Sequence, residues 1–282
     1  TMSYSFYINC PDPPSWSDTI GSLEYDDVGV VEGDAIPDDG PIPEETYFHL
    51  FRMGLSTRTV EVVWRDDELA VRIMTCSSPE DFELAFSIIR RTAAVCGGEI
   101  TSEEGETFPA DRLGEYHGEE WVEQMVASGP AAVRGIVLEE DDTVTIPGPA
   151  GNFFLGPRTL DRLGEEDRDF GDALFDAIRE VQWTDPDKWF RAGIMGIMLE
   201  GSREKQRLSV WGPGVDYFFP HVDRIAITQT GDDDFLIPYE AITELVPEAE
   251  YADEKQLLVP AIPEEEWPDF VEQARQHSTG EV

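Results

Sequence analysis

Thr59-Val60-Glu61-Val62-Val63-Trp64, then Arg65-Asp66-Asp67-Glu68, then Leu69-Ala70-Val71-Arg72-Ile73-Met74, read as two alternating β-rich runs around a short acidic turn. Runs of this kind, apolar on alternate residues and broken by turn-forming acids, predict an antiparallel hairpin. Immediately downstream, Ser78-Pro79-Glu80-Asp81 carries an N-cap, a proline at the first helical position and two acids in the first turn, and Gly97-Gly98 supplies the stop. Between them Phe82, Ala85, Phe86, Ile89 and Ala93 recur at helical spacing, widened by Leu84, Ile88 and Val95, so the helix is expected to bury one face against the hairpin. A hairpin followed by a packed helix sets the class: α+β, with antiparallel hairpins and sheets packed against amphipathic helices.

Outward from this centre, Ser3 to Ile8 alternates like a strand. Residues 10–46 are expected to be an exposed acidic loop, because Asp34-Ala35-Ile36-Pro37-Asp38-Asp39-Gly40-Pro41 is turn chemistry. On the other side come a short strand around Glu99-Ile100-Thr101, a turn at Glu104-Gly105, and a helix from Glu119 to Ala127 that Ser128-Gly129-Pro130 should end. Ile136-Val137-Leu138 and Thr143-Val144-Thr145-Ile146 flank an acidic turn and suggest a second hairpin. The boundary expected near Gly129 gives two similar-sized halves, 1–129 and 130–282, with a single compact domain as the alternative.

In the second half a helix is expected from about Asp169, with Phe170, Leu174, Ile178 and Val181 on one face, and another start at Asp185-Pro186. Gly193 to Leu199 reads as a buried strand. Further strands are expected at Leu208 to Trp211, Asp223 to Thr228, Phe235 to Ile237 and Gln256 to Val259, with a closing helix through Trp267, Phe270, Val271 and Ala274.

Charge is the unusual quantity. The chain has 60 Asp+Glu against 20 Lys+Arg, a formal net charge of −40, in 282 residues that are 40% hydrophobic. The apolar content predicts a folded core despite the charge. A surface of this sign repels phosphate backbones and anionic lipid, so neither nucleic acid nor a membrane is an expected partner, and a basic protein is. The distribution is uneven: eleven acids precede the first arginine, Arg52, and nine acids with no base run from Asp232 to Glu254. Partner-binding candidates are therefore Asp26, Asp27, Asp38 and Asp39, then Asp232, Asp233 and Asp234, with Trp16 as an aromatic anchor amid acids. For Trp16, packing onto the fold is the competing expectation.

Catalytic templates fail on absent residues. No lysine follows a suitable glycine run to make a phosphate loop, and no serine sits in a nucleophile elbow. His49, His117, His221 and His277 show no ligand spacing among themselves or with cysteine, so no catalytic residue, cofactor or metal is expected. Cys10, Cys76 and Cys96 are too few and scattered for a disulfide framework, read as small hydrophobes, and fit a reducing compartment. With no secretory leader pattern and no apolar run of membrane-spanning length, a cytoplasmic protein is expected.

The stretch Ser78 to Tyr116, the segment Phe153-Phe154-Leu155-Gly156-Pro157-Arg158 and the ending Ala252 to Trp267 resemble a group of uncharacterised bacterial proteins of about this length. That resemblance implies a bacterial source and brings no activity with it. The expectation for function is a non-enzymatic acidic binding protein, of immunity or inhibitor type, that captures a basic partner such as a toxin or a nucleic-acid-binding protein. A surface adapted to salt without any charge-driven partner is one alternative, and an enzyme whose active site is dispersed along the chain is another.

Overall fold

The computed structural model describes residues 3–31, 37, 39–165, 168–198, 205–228 and 234–281. The chain divides into two compact units, Thr1–Trp183 and Thr184–Val282. The halves are thus unequal, and the boundary expected at Gly129 falls inside a helix instead.

In the first unit the strands are β1 (Ser3–Asn9), β2 (Val28–Val30), β3 (Phe48–Arg52), β4 (Val60–Arg65), β5 (Glu68–Met74), β6 (Ile100–Ser102) and β7 (Thr107–Phe108). They form one antiparallel sheet in the order β2-β3-β4-β5-β1-β6-β7. The β4–β5 hairpin is the expected one, closed by Asp66 and Asp67 at φ 51° and 63°. Aspartate tolerates this left-handed geometry better than most residues, and two such residues in succession match the twist of the flanking strands.

Helix α1 (Pro79–Cys96) buries Phe82, Leu84, Ala85, Phe86, Ile88, Ile89 and Ala93, as its periodicity predicts, leaves Val95 exposed against expectation, and ends on Gly97 in the left-handed region at φ 64°. Its buried face shares a core with Phe6, Ile8, Phe48, Leu50, Val60, Val62, Leu69, Val71 and Ile73 of the sheet. The acidic loop packs more closely than composition suggests: Trp16, Ile20 and Ile42 are buried in this same core, and Val28–Val30 joins the sheet.

After the short α2 (Leu113–Tyr116), helix α3 runs from Glu119 to Glu140, straight through Ser128-Gly129-Pro130. The second expected hairpin is therefore wrong in its first strand, since Ile136-Val137-Leu138 is helical. Burial of Gly129, Pro130, Val133 and Val137 along one face holds the helix together across its proline. The true hairpin pairs β8 (Val144–Gly148) with β9 (Gly151–Leu155). Gln182 clamps its turn, accepting from Ala150 N–H at 2.8 Å and donating to the Gly151 carbonyl at 2.6 Å. Helices α4 (Pro157–Gly164) and α5 (Phe170–Gln182) complete the unit; α5 starts where expected, with Leu174, Ile178 and Val181 buried and Phe170 half-buried, and Asp169 caps it.

Cys10 and Cys96 form a disulfide that ties the segment after β1 to the last residue of α1. Only Cys76 is a free thiol. The reading of all three cysteines as small hydrophobes is corrected: their distance along the chain concealed two ends that the sheet and α1 bring together. With it goes cysteine scarcity as an argument for a reducing compartment.

The second unit holds a sheet of β10 (Phe190–Arg191), β13 (Tyr217–Phe219), β16 (Glu250–Tyr251) and β17 (Leu257–Val259), ordered β10-β13-β17-β16. A second sheet, ordered β11-β12-β14-β15-β18, holds β11 (Met195–Met198), β12 (Lys205–Trp211), β14 (Arg224–Ile227), β15 (Phe235–Pro238) and β18 (Gly280–Glu281). Trp211, Phe219, Ile225, Ile227, Ile237, Val259, Trp267 and Phe270 share its core with α6 (Ile242–Leu245) and α7 (Trp267–Arg275). Two expectations fail here. Asp185-Pro186 opens a turn rather than a helix, and the strand in Gly193 to Leu199 lies exposed at a sheet edge, with Met198 69% accessible.

Candidate functional site

Two helix faces in the first unit make the site. On α1, Pro79, Phe82, Glu83, Phe86, Ser87 and Arg90 fall at helical spacing along one side; on α3, Glu119, Val122, Glu123 and Val126 do the same. Between them lies a groove of about 660 Å³, its floor apolar, with His117 and Gly118 at the start of α3 and Tyr25 at one wall. The Tyr25 hydroxyl lies 3.1 Å from Ser87 Oγ, which anchors that wall to α1. Trp121 stacks on Phe86, their centroids 6.2 Å apart, and backs the floor.

The groove is acidic at its edge. Glu83, Glu119 and Glu123 oppose the single base Arg90 among its lining residues, a net formal charge of −2 from three acids and one base with His117 neutral. Glu119 and Glu123 are exposed, and Glu83 lies 3.4 Å from Arg52, which also holds Asp27 at 3.2 Å and covers the Tyr25 ring at 4.3 Å.

His117 is the most constrained group in the lining. It is buried among Tyr4, Phe6, Phe108 and Trp121, whose ring centroids lie 4.7 to 5.6 Å from its own. Its Nε2 is 3.0 Å from the Tyr4 hydroxyl, which donates its one proton to the Glu104 carboxylate. Tyr4 oxygen therefore accepts from His117 Nε2–H, leaving Nδ1 as a bare acceptor. Nδ1 is buried and has no hydrogen-bond partner among the described residues. Burial holds the imidazole below its usual pKa, against the upward pull of Glu104 and Glu106. A neutral ring with one nitrogen committed and the other covered positions the α3 entrance; it offers no open nitrogen for proton transfer to a bound molecule.

Of the residues singled out by charge, Asp26 is exposed beside Tyr25, Asp39 is exposed elsewhere on the loop, and Asp27 is engaged by Arg52. Trp16 is buried, its ring 4.9 Å from Phe48, so it serves the core rather than a partner. Asp38, Asp232 and Asp233 lie outside the described residues; Asp234 is half-buried in the second unit. Sequence reasoning missed the groove because its acids sit on helices, spaced like any solvated face. The signal present was Glu119 and Glu123 one turn apart beside Val122 and Val126; the convergence with α1 is tertiary.

Among the described residues no three metal-ligating side chains cluster, and no helix is long and apolar enough to cross a membrane. Residues 3–186 match the family described as "Domain of unknown function (DUF4299)", a span that nearly coincides with the first unit and leaves the second outside it. No curated protein matches the chain. No solved structure matches it either.

Proposed function

The chain belongs to the DUF4299 family, and from that premise we propose that it is a non-enzymatic binding protein whose α1–α3 groove captures a basic partner, in the manner of an immunity or inhibitor protein. One observation carries the reading: an apolar floor of Phe82, Phe86, Val122 and Val126 edged by Glu83, Glu119 and Glu123. Such a surface suits a segment that presents apolar anchors with lysine or arginine beside them, because burial supplies affinity while opposite charge supplies encounter rate and orientation. The bulk charge of −40 acts in the same direction over longer range, within a Debye length of about 8 Å at physiological ionic strength. Cytoplasmic residence would suit such a partner, though nothing in the reading depends on it.

The groove has a His, an Arg and several carboxylates, the ingredients of a dispersed active site. Catalysis is nevertheless the weaker reading, because neither nitrogen of His117 is open.

The test is titration with a basic amphipathic helical peptide of alternating leucine and lysine turns, followed by calorimetry. Glu119→Lys with Glu123→Lys should weaken binding about tenfold or more at low salt, with the loss shrinking as salt is added. Val122→Trp, which fills the floor, should abolish it at any salt. Equal binding by wild type and both variants would remove the groove from the function. A protein that unfolds at low salt and recovers in molar KCl would favour salt adaptation as the meaning of its charge.

A further inference from the structure

We propose that a cavity between α3 and the corner of the first sheet binds a small uncharged molecule, an apolar ring carrying one hydroxyl. Phe82 stands between this cavity and the α1–α3 groove, and the two are otherwise lined by different residues. The site stands whether or not the groove captures a basic partner.

Strand pairing builds one wall. The start of β1 lies beside the end of β5, with Ser3 opposite Met74 and Tyr4 opposite Ile73. The chain then turns through Thr75 and Ser77 into α1, and α3 packs against this corner with Met125, Ser128, Gly129 and Ala132 at helical spacing on one side. Gly129 sets how closely the helix comes, since a Cβ there would stand 2.7 Å from the Cys76 backbone nitrogen. The space left is about 200 Å³. Tyr4, Ile73, Ser77 and Phe82 are buried in its wall, whereas Ser128 and Ala132 are exposed and mark its mouth.

One buried hydroxyl in that wall is unspent. Ser77 is 2% exposed, and its Oγ has no hydrogen-bond partner among the described residues. Its neighbours are engaged: Ser128 donates to the Met125 carbonyl at 2.9 Å, Ser3 accepts from Arg72 Nε at 2.9 Å, and Tyr4 donates to Glu104. A buried hydroxyl without a partner destabilises a fold, and such a group calls for a water or a ligand to complete it. An ordered water needs two to four polar partners, and the apolar part of the lining, Ile73, Met74, Phe82 and Met125, offers it none.

Size and charge define the occupant. No lining residue is charged, in a chain that is 28% charged. An ion would lose its hydration there without meeting a counter-charge, whereas a neutral molecule is indifferent to the −40 of the chain. Apolar cavities of about 150 Å³ accept benzene, so about 200 Å³ suits one ring with a substituent. The Phe82 and Tyr4 rings and the thioethers of Met74 and Met125 favour an aromatic one, because sulfur and ring edges both attract π-faces. Ser77 then meets the substituent.

The experiment titrates the whole chain, carrying ¹³C-methyl methionine, with phenol, toluene and benzoate, and follows the methyl resonances by NMR. Phenol should shift Met74 and Met125 saturably and leave the other methionines of the six unmoved, with benzoate at least about tenfold weaker. Ser77→Ala removes a hydroxyl that bonds nothing else, so it should fold, and it should lower the preference for phenol over toluene about fivefold. Ala132→Trp, at an exposed position of α3, should close the mouth and abolish phenol binding; circular dichroism checks that both variants fold. No saturable shift at Met74 and Met125 would leave the cavity to water and overturn the proposal. So would equal binding of benzoate and phenol, an unchanged preference in Ser77→Ala, or undiminished phenol binding in Ala132→Trp.

Discussion

Asp81 shows what a single residue does in this fold. It is fully buried at the third position of α1, and its Oδ2 accepts from Thr57 N–H and Oγ1, Arg58 N–H, and Ser78 N–H and Oγ at 2.8 to 3.3 Å. Burial pushes its pKa up, and the donors of Ser56, Ser78, Thr57 and Arg58 pull it back. Asp81→Ala would orphan those donors, so it should cost about 2–4 kcal/mol in urea unfolding. Cys76 is buried at φ 64°, and burial raises its thiol to about 12 despite Arg58 nearby. Since the thiolate is the reactive form, iodoacetamide should label Cys76 only as fast as the protein unfolds. His117 gives a pH dependence with a definite sign. Its folded pKa lies below the unfolded value of 6.5, so the unfolded state binds the proton first. Its contribution to stability is therefore present above about 6.5 and is lost as pH falls toward the folded pKa. The difference in unfolding free energy between wild type and His117→Gln, followed from neutral to mildly acidic pH, should shrink or reverse; a constant difference would remove His117 as the cause.

At the scale of elements, α3 and the disulfide are the instructive cases. A Cβ at Gly129 would stand 2.7 Å from the backbone nitrogen of Cys76, so the helix approaches the end of β5 only because residue 129 has no side chain. Gly129→Ala would improve helix propensity and still destabilise, by about 1–3 kcal/mol, through overpacking against rigid backbone. The Cys10–Cys96 bridge spans 86 residues. A loop of that length constrains the unfolded chain strongly, and replacing both cysteines by serine should cost about 2–5 kcal/mol, read as a lowered urea midpoint. The α1 limits, the β4–β5 hairpin and the start of α5 near Asp169 were legible because each depends on neighbours within a few residues. The length of α3 was not, since Ser128-Gly129-Pro130 is a local stop overridden by buried contacts of Gly129, Pro130, Val133 and Val137.

For the whole molecule, the coincidence of the family match with the first unit has a direct consequence. Residues 3–186 expressed alone should unfold in one cooperative transition, because the core around Phe6, Phe48, Leu69 and Ile89 draws only on that segment. Loss of cooperativity in that fragment would show the second unit to be required for folding. The groove was only half visible beforehand. Its acids and apolar residues stood in the sequence at helical spacing, but acids are so common here that no pair stood out.

By itself the sequence determined the α+β class, the excess of negative charge and its uneven spread, and the elements whose signals are local: caps, alternation and turns. Tertiary structure decided which of these meet. It buried Trp16, joined Cys10 to Cys96, carried α3 through Pro130, placed Glu83 opposite Glu119 and Glu123, and left Met195 and Met198 at an open edge. The physical reason is range: hydrogen bonding along the backbone acts over a few residues, whereas burial and charge act between surfaces that only the folded chain brings together.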